Sequence, residues 1–227
     1  MINAKATNAI NSNIEAIDKQ LYTLGYREDP EEAKELLSLL KSSLDNDTQN
    51  ARLTELGKNL CCRVFPGIRM YARDVNLPED IAEKYEEGMI LRSPVPIEAS
   101  RRNGGMVTSH RFAILSNHMA DMSAAEGGED PRGLALAQRD SYFQVLKIHR
   151  SSSGETMILL LHLPSDGSWP FFEKVKLTMI DDIVDDSIDR FENWLIEPPV
   201  EELTTEEWFK CCSAPVGIDE NGNIIKP

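Results

Sequence analysis

The chain is short of almost everything that announces a specialised protein. It has no apolar stretch able to cross a bilayer: the longest run is Met157–Leu161, where a spanning helix needs about 20 apolar residues. Its first residues, MINAKATNAINSNIEAID, hold neither the basic region nor the apolar region of a secretory leader. The expected compartment is therefore the cytoplasm, although export without a cleavable signal would leave the same pattern. Cysteine is scarce, with four residues in two adjacent pairs, Cys61-Cys62 and Cys211-Cys212. Adjacent thiolates do not readily point at one metal, as the two-residue gap of structural zinc sites lets them do. Nor do so few cysteines make a disulfide framework in 227 residues, so they read as ordinary thiols. The dinucleotide G-x-G-x-x-G, the P-loop, G-x-S-x-G and H-E-x-x-H are all missing, which removes the commoner nucleotide, hydrolase and zinc-protease readings.

Positive charge is the other shortage. The chain carries 24 Lys plus Arg against 38 Asp plus Glu, a net of -14. The imbalance is local: residues 151–227 hold 16 acidic and 5 basic residues, a net of -11 that leaves -3 for the first 150. Such a surface repels phosphates, so nucleic acid and anionic membranes are disfavoured as partners, while a basic protein is allowed. A solvated face that keeps the protein soluble accounts for the same charge.

What is present is a helical pattern followed by a strand pattern. Ile10, Ile14, Ile17, Leu21 and Leu24 recur at helical spacing up to Gly25. A second helix opens on Asp29-Pro30-Glu31-Glu32, with Ala33, Leu36, Leu37, Leu40 and Leu44 as its buried face; a third carries Leu53, Leu56, Leu60 and Val64 and stops at Pro66. After Gly67 the period changes. Strands are expected over 68–72, 89–91, 95–97 and 110–117, a helix over 78–87 closed by Gly88, and a loop over 121–139. The clearest hairpin pairs 142–148 with 156–163. Beyond it, from Met179 onward, Ile180, Ile183, Val184, Ile188, Phe191, Trp194 and Leu195 make an apolar stripe opposite Asp181, Asp182, Asp185, Asp186 and Asp189, and Thr205 heads a further helical turn with Trp208 and Phe209 as anchors. The expected architecture is α+β: a three-helix lobe (1–66), a small, mostly antiparallel β core (67–164) and an acidic helical extension (165–227), three domains or one compact body.

Two clusters raise the question of a metal. DDIVDD has the Asp-Asp-x-x-Asp spacing that collects magnesium for a diphosphate, but the solvent face of an amphipathic helix explains it without a ligand, and no metal is expected. His110 and His118 lie eight apart, which on one straight strand puts both imidazoles on one face; they could act on a phosphate or serve structurally.

The stretch MYARDVNLPEDIAEKYEEGMILRSPVPIEAS, Met70–Ser100, holds a strand ending in an aromatic residue and Arg, then Leu-Pro, a short helix, Gly followed by apolar residues, and a proline-bearing strand into a small-residue turn. Further along come YFQVLKI, a Ser-Gly turn and ETMILLLHL. In this order of parts, from about Leu53 to Leu163, the chain resembles the Arg-Ser-Glu class of ADP-ribosyltransferases. The resemblance implies NAD as cofactor and transfer onto a macromolecular acceptor, or an inactive derivative of that fold. It implies that Arg73, beside Tyr71, holds NAD phosphate through a charge-assisted fork, and that Ser100 of Glu98-Ala99-Ser100 shapes the nicotinamide pocket. Glu126 or Glu129, in the region before YFQVLKI, is implied to stabilise the oxocarbenium-like ribose. In Tyr71-Ala72-Arg73-Asp74 the arginine stands one residue later than in the family's aromatic-Arg-Gly, and on a strand that turns its side chain to the other face unless a bulge at Ala72 intervenes. The second expectation is a non-enzymatic protein of immunity, antitoxin or inhibitor type, whose acidic extension covers a basic partner.

Overall fold

The computed structural model describes residues 60–122, 130–165, 168–174 and 179–227. The first two expected helices and most of the third lie outside the described residues, as do Glu126 and Glu129. The chain divides into two compact units, Met1–Pro66 with Leu163–Lys176, and Gly67–His162 with Leu177–Pro227. In the first, a helical stretch over 60–64 buries Leu60 and Val64, and α2 (Trp169–Lys174) buries Trp169, Phe171 and Phe172. The two phenylalanines meet edge to face, with centroids 5.4 Å apart.

The second unit is built on a mixed, mostly antiparallel sheet of eight strands: β1 (Arg69–Val75), β2 (Ile90–Ser93), β3 (Ile97–Ser100), β4 (His110–Ser116), β5 (Ala120–Asp121), β6 (Leu134–Ala137), β7 (Ser141–Arg150) and β8 (Thr156–Leu163). Their order is β2-β7-β8-β4-β1-β3-β6-β5. β4 and β8 run parallel, from His110↔Thr156 to Leu115↔Leu161. β8 can sit centrally because MILLL leaves no polar side chain in that run to solvate, the near-continuous apolar sequence of a strand covered on both faces. The core gathers Tyr71, Phe112, Ile114, Phe143, Val145, Ile158 and Leu160 with Val216 and Ile218 from the tail.

The expected helix over 78–87 is shorter: α1 is Glu79–Ala82. Beyond it the backbone closes tight three-residue turns, Lys84 N to Ile81 O and Tyr85 N to Ala82 O. These turn Tyr85 inward, edge-on to Phe112 at 5.4 Å, with its hydroxyl donating to Val216 O at 2.8 Å. A second difference is β6, which lies within the stretch expected to be a loop. Its Ala135 and Ala137 are fully buried, and such small side chains leave little hydrophobic signal.

At the C-terminal side, α3 (Met179–Leu195) lies against β7: Phe191 is fully buried, and His149 Nε2 is 2.6 Å from Glu192 Oε1. A 3-10 turn (Glu201–Leu203) leads to α4 (Glu206–Cys212), whose N-cap Thr205 accepts from Trp208 N at 3.2 Å. The tail then returns to β2. Arg92 N donates to Ile225 O, and Gly217 sits so close to Leu91 that a Cβ there would lie 2.6 Å from the leucine Cβ, at a φ of +71° that also favours glycine.

Candidate functional site

β1 and β3 share a single paired position, Ala72↔Ser100, whereas β1 and β4 pair without interruption from Arg69↔Ser116 to Val75↔His110. The unbroken ladder leaves no bulge at Ala72. Side chains alternate across a strand, so Arg73 shares the face of Tyr71 and Val75, opposite to Ala72. Where β1 and β3 part, the Arg73 side chain enters the seam and is 2% exposed. Its Nη1 donates to Glu98 O at 2.7 Å; its Nη2 donates to Cys211 O at 3.1 Å and Ala214 O at 2.9 Å. Glu98 Oε2 stands 3.9 Å from Nη1, and Nε has no hydrogen-bond partner. Cys211 O belongs to the last turn of α4, where carbonyls lack partners within the helix and the dipole favours a cation. Arg73 thus caps a helix 138 residues away in sequence. The Cys212 thiol beside it is pushed up to about 12 by burial, with the Arg73 charge opposing.

The next residue faces the other way. Asp74 takes a bidentate grip from Arg111, at 2.6 Å from Nε and 2.7 Å from Nη2, and Arg111 Nη1 donates to Gly104 O at 2.9 Å. Both side chains are nearly buried, so the pair depends on complete pairing for its stability. Gly104 and Gly105 lie against the 197–200 segment: Gly105 N reaches Pro198 O, and a Cβ on Gly105 would stand 2.1 Å from Glu197 O. Only glycine admits that approach. Asp74, Gly104, Arg111, Pro199 and Leu203 border a small cleft between these parts.

Ser100 is fully buried; its Oγ donates to Arg132 O at 2.5 Å and accepts from Arg102 N at 2.9 Å. Tyr71 is 7% exposed, and burial raises its phenol above the ordinary range. Arg73, Tyr71 and Ser100 therefore lie on adjacent strands, while Glu126 and Glu129 fall in 123–129, outside the described residues.

His110 and His118 flank β4 at its two ends and do not meet. His110 Nδ1 contacts Ser109 Oγ at 2.8 Å. His118 packs at a tilt against His162, with ring centroids 3.9 Å apart, and Phe143 stacks on the same imidazole at 4.8 Å. His162 Nδ1 bonds Ser116 Oγ at 2.9 Å, and its buried Nε2 has no hydrogen-bond partner. Burial, with His118 alongside, holds His162 well below its usual range. Among the described residues no group of three or more His, Cys, Asp or Glu could hold a metal ion, and no helix is long and apolar enough to cross a membrane. Sequence reading missed the Asp74–Arg111 and Ser116–His162 pairs. The signal available was a charged or polar residue within strand patterns, Asp74 in β1, Arg111 and Ser116 in β4 and His162 in β8, each of which demands a partner where it is buried.

The chain matches no protein-family model and no curated protein sequence. Among solved structures it weakly resembles ADP-ribosyltransferases. Exoenzyme S from Pseudomonas aeruginosa, solved with human 14-3-3 protein beta and carba-NAD, is 10% identical over 74% of this chain and 96% of its own, with a TM-score of 0.37. The Vis toxin, an ADP-ribosyltransferase from Vibrio splendidus, is 14% identical over 74% and 76% of the two chains at 0.33. C3stau2 from S. aureus, solved with NAD, is 15% identical over 72% and 97% at 0.34. In the conformation described, Arg73 and Ser100 do not fit a dinucleotide: both Nη atoms of the arginine are held by main-chain carbonyls and the serine hydroxyl is used within the protein.

Proposed function

We propose that the chain is a divergent ADP-ribosyltransferase-like protein, directed at a macromolecular acceptor, whose NAD-binding side chains would come from the β1–β3 seam. The observation that supports this reading is that β1 and β3 are neighbours, paired at Ala72↔Ser100, with the Arg73 guanidinium drawn into the seam between them; Ser100 itself projects with Ala72, to the face opposite Tyr71. In this reading Arg73 and Tyr71 hold NAD, Ser100 shapes the nicotinamide end, and Glu126 or Glu129 supplies the catalytic carboxylate. Millimolar NAD is expected to raise the melting temperature through linkage, and Glu126→Ala with Glu129→Ala is expected to abolish NAD hydrolysis. Absence of both effects would overturn the reading and leave an inactive derivative.

A second reading is favoured by α3. Asp181, Asp182, Asp185, Asp186 and Asp189 are all exposed there, and Ile196 just beyond is 85% exposed. In this reading the helix binds a basic protein in the manner of an immunity, antitoxin or inhibitor protein, with association speeded by charge and weakened by salt. Replacing Asp181, Asp182, Asp185 and Asp186 by Asn should then slow association with a captured basic partner. Unchanged, salt-insensitive binding would count against it.

A further inference from the structure

We infer that α3 is the docking surface for a basic amphipathic helix of another protein, which lays its apolar side on the shoulder formed by Val184, Ile188 and Leu195 and sets its lysines and arginines against the carboxylates beside it. The inference rests on the second reading given above, and it names the kind of partner that reading leaves open.

The apolar stripe of α3 is wider than the part of it that the sheet covers. Only the middle line is sealed: Phe191 and, four residues earlier, Ser187 are buried, with the Ser187 hydroxyl donating back to Ile183 O at 2.6 Å. Ile183 and Trp194 on one shoulder, and Val184, Ile188 and Leu195 on the other, stay half-buried. The other two tryptophans, Trp169 and Trp208, are buried. Directly after the helix stands Ile196, at 85% the most exposed of the large apolar residues described, against 57% for Val107 and 51% for Val95. Over 17 residues this leaves an apolar strip about 25 Å long in partial contact with water. A continuous strip bordered by charge, unlike a single exposed side chain, marks an interaction surface.

The two shoulders differ in their borders. Steps of four and seven residues place Val184, Ile188 and Leu195 on one line and Asp181, Asp185 and Glu192 on the line beside it. Glu192 is also held by His149 of β7 at 2.6 Å, which fixes this edge of the helix on the sheet. On the opposite side Arg190 stands seven residues from Ile183 and four from Trp194, the single basic residue of a helix with six carboxylates. A cationic partner is attracted along the first shoulder and meets a like charge at the second.

The same features select the form of the partner. Main-chain groups along a helix are used by the helix itself, so an extended strand would gain no ladder of bonds on α3. A second helix instead packs its side chains into the spaces of the first, with its own apolar residues at matching spacing. A second copy of α3 does not qualify, because it would bring carboxylates against carboxylates.

The test is binding of fluorescently labelled peptides of about 18 residues, long enough to run beside α3, to the full-length chain, read by anisotropy. One peptide carries leucine at helical spacing and lysine elsewhere; a second has the same composition with its leucines spread around the helix; a third keeps the leucines and replaces lysine by glutamate. The first should bind, the second at least about tenfold more weakly, and the third not at all. In the chain, Ile188→Ser should weaken the first peptide about tenfold and Ile196→Ser about threefold. Ile196 is so exposed that folding does not depend on it, so its substitution carries the comparison if Ile188→Ser folds poorly. Equal binding of the two basic peptides, or an affinity that neither isoleucine substitution changes, would overturn the amphipathic helix and leave the charge-led second reading standing. No binding of either basic peptide would overturn both.

Discussion

At the centre of the sheet β4 and β8 lie side by side, buried and apolar from Phe112↔Ile158 to Leu115↔Leu161. On the other side of β4, where β1 meets β3, the buried groups are Arg73, Asp74, Arg111 and Ser100. The two regions are equally hidden from water, but they are held by different means. The first needs volume filled, and a loss there scales with the atoms removed. The second needs every partner in place, because a charge left without its counterpart keeps the whole cost of desolvation. Dense apolar strands tolerate change in proportion to the volume lost, whereas the buried polar groups tie distant parts of the chain to one another.

The comparison can be broken from either side. The largest effect is expected for Asp74→Ala, which strands Arg111 in the interior and should cost about 3–5 kcal/mol in chemical denaturation. Replacing both members together, Asp74→Leu with Arg111→Met, should cost far less, because no charge is then left unpaired. Next comes Leu160→Ala in the central pair, at about 2–5 kcal/mol according to how far the fully buried site collapses. There a partner substitution should not rescue, which separates filling from pairing.

The smallest effect concerns pH. His162 is held neutral, its proton affinity lowered first by burial and then by His118, from an ordinary value of 6.5. The unfolded chain therefore binds the proton more readily than the folded one. The stability due to the neutral ring is complete above about 6.5 and is lost as pH falls toward the folded value, at no more than about 1.4 kcal/mol per unit for one proton. His110, lowered by burial and then by Arg150, acts in the same direction. Denaturation midpoints should fall on acidification below 6.5, and His162→Gln should flatten that slope. An unchanged slope would mean that His162 is protonated in the native state.

Much of the scaffold is legible in the sequence because it is written in local patterns. The strand over 110–117, the pairing segments over 142–148 and 156–163, the amphipathic α3 and the Thr205 cap follow from periodicity and turn chemistry. β1 reads as shorter than it is because Arg73 and Asp74 argue against a strand interior; what permits them there is Arg111 and the carbonyls of Cys211 and Ala214, distant in sequence. β6 is hidden for a different reason, since LALA sits among glycine and charge and buries only alanines. The turned face of Arg73 follows from its one-residue displacement on a strand without a bulge. The partners of Arg73 were not legible, because two of them are main-chain carbonyls near the other end of the chain.

The tail that returns to β2 has a consequence for handling the protein. β2 ends the sheet on one side, and the bond from Arg92 N to Ile225 O supplies part of what its outer edge would otherwise offer to a stranger. Shortening the chain by its last few residues would thus uncover a template for intermolecular strand addition. The symptom of deleting 224–227 would be self-association and loss of yield at unchanged secondary structure.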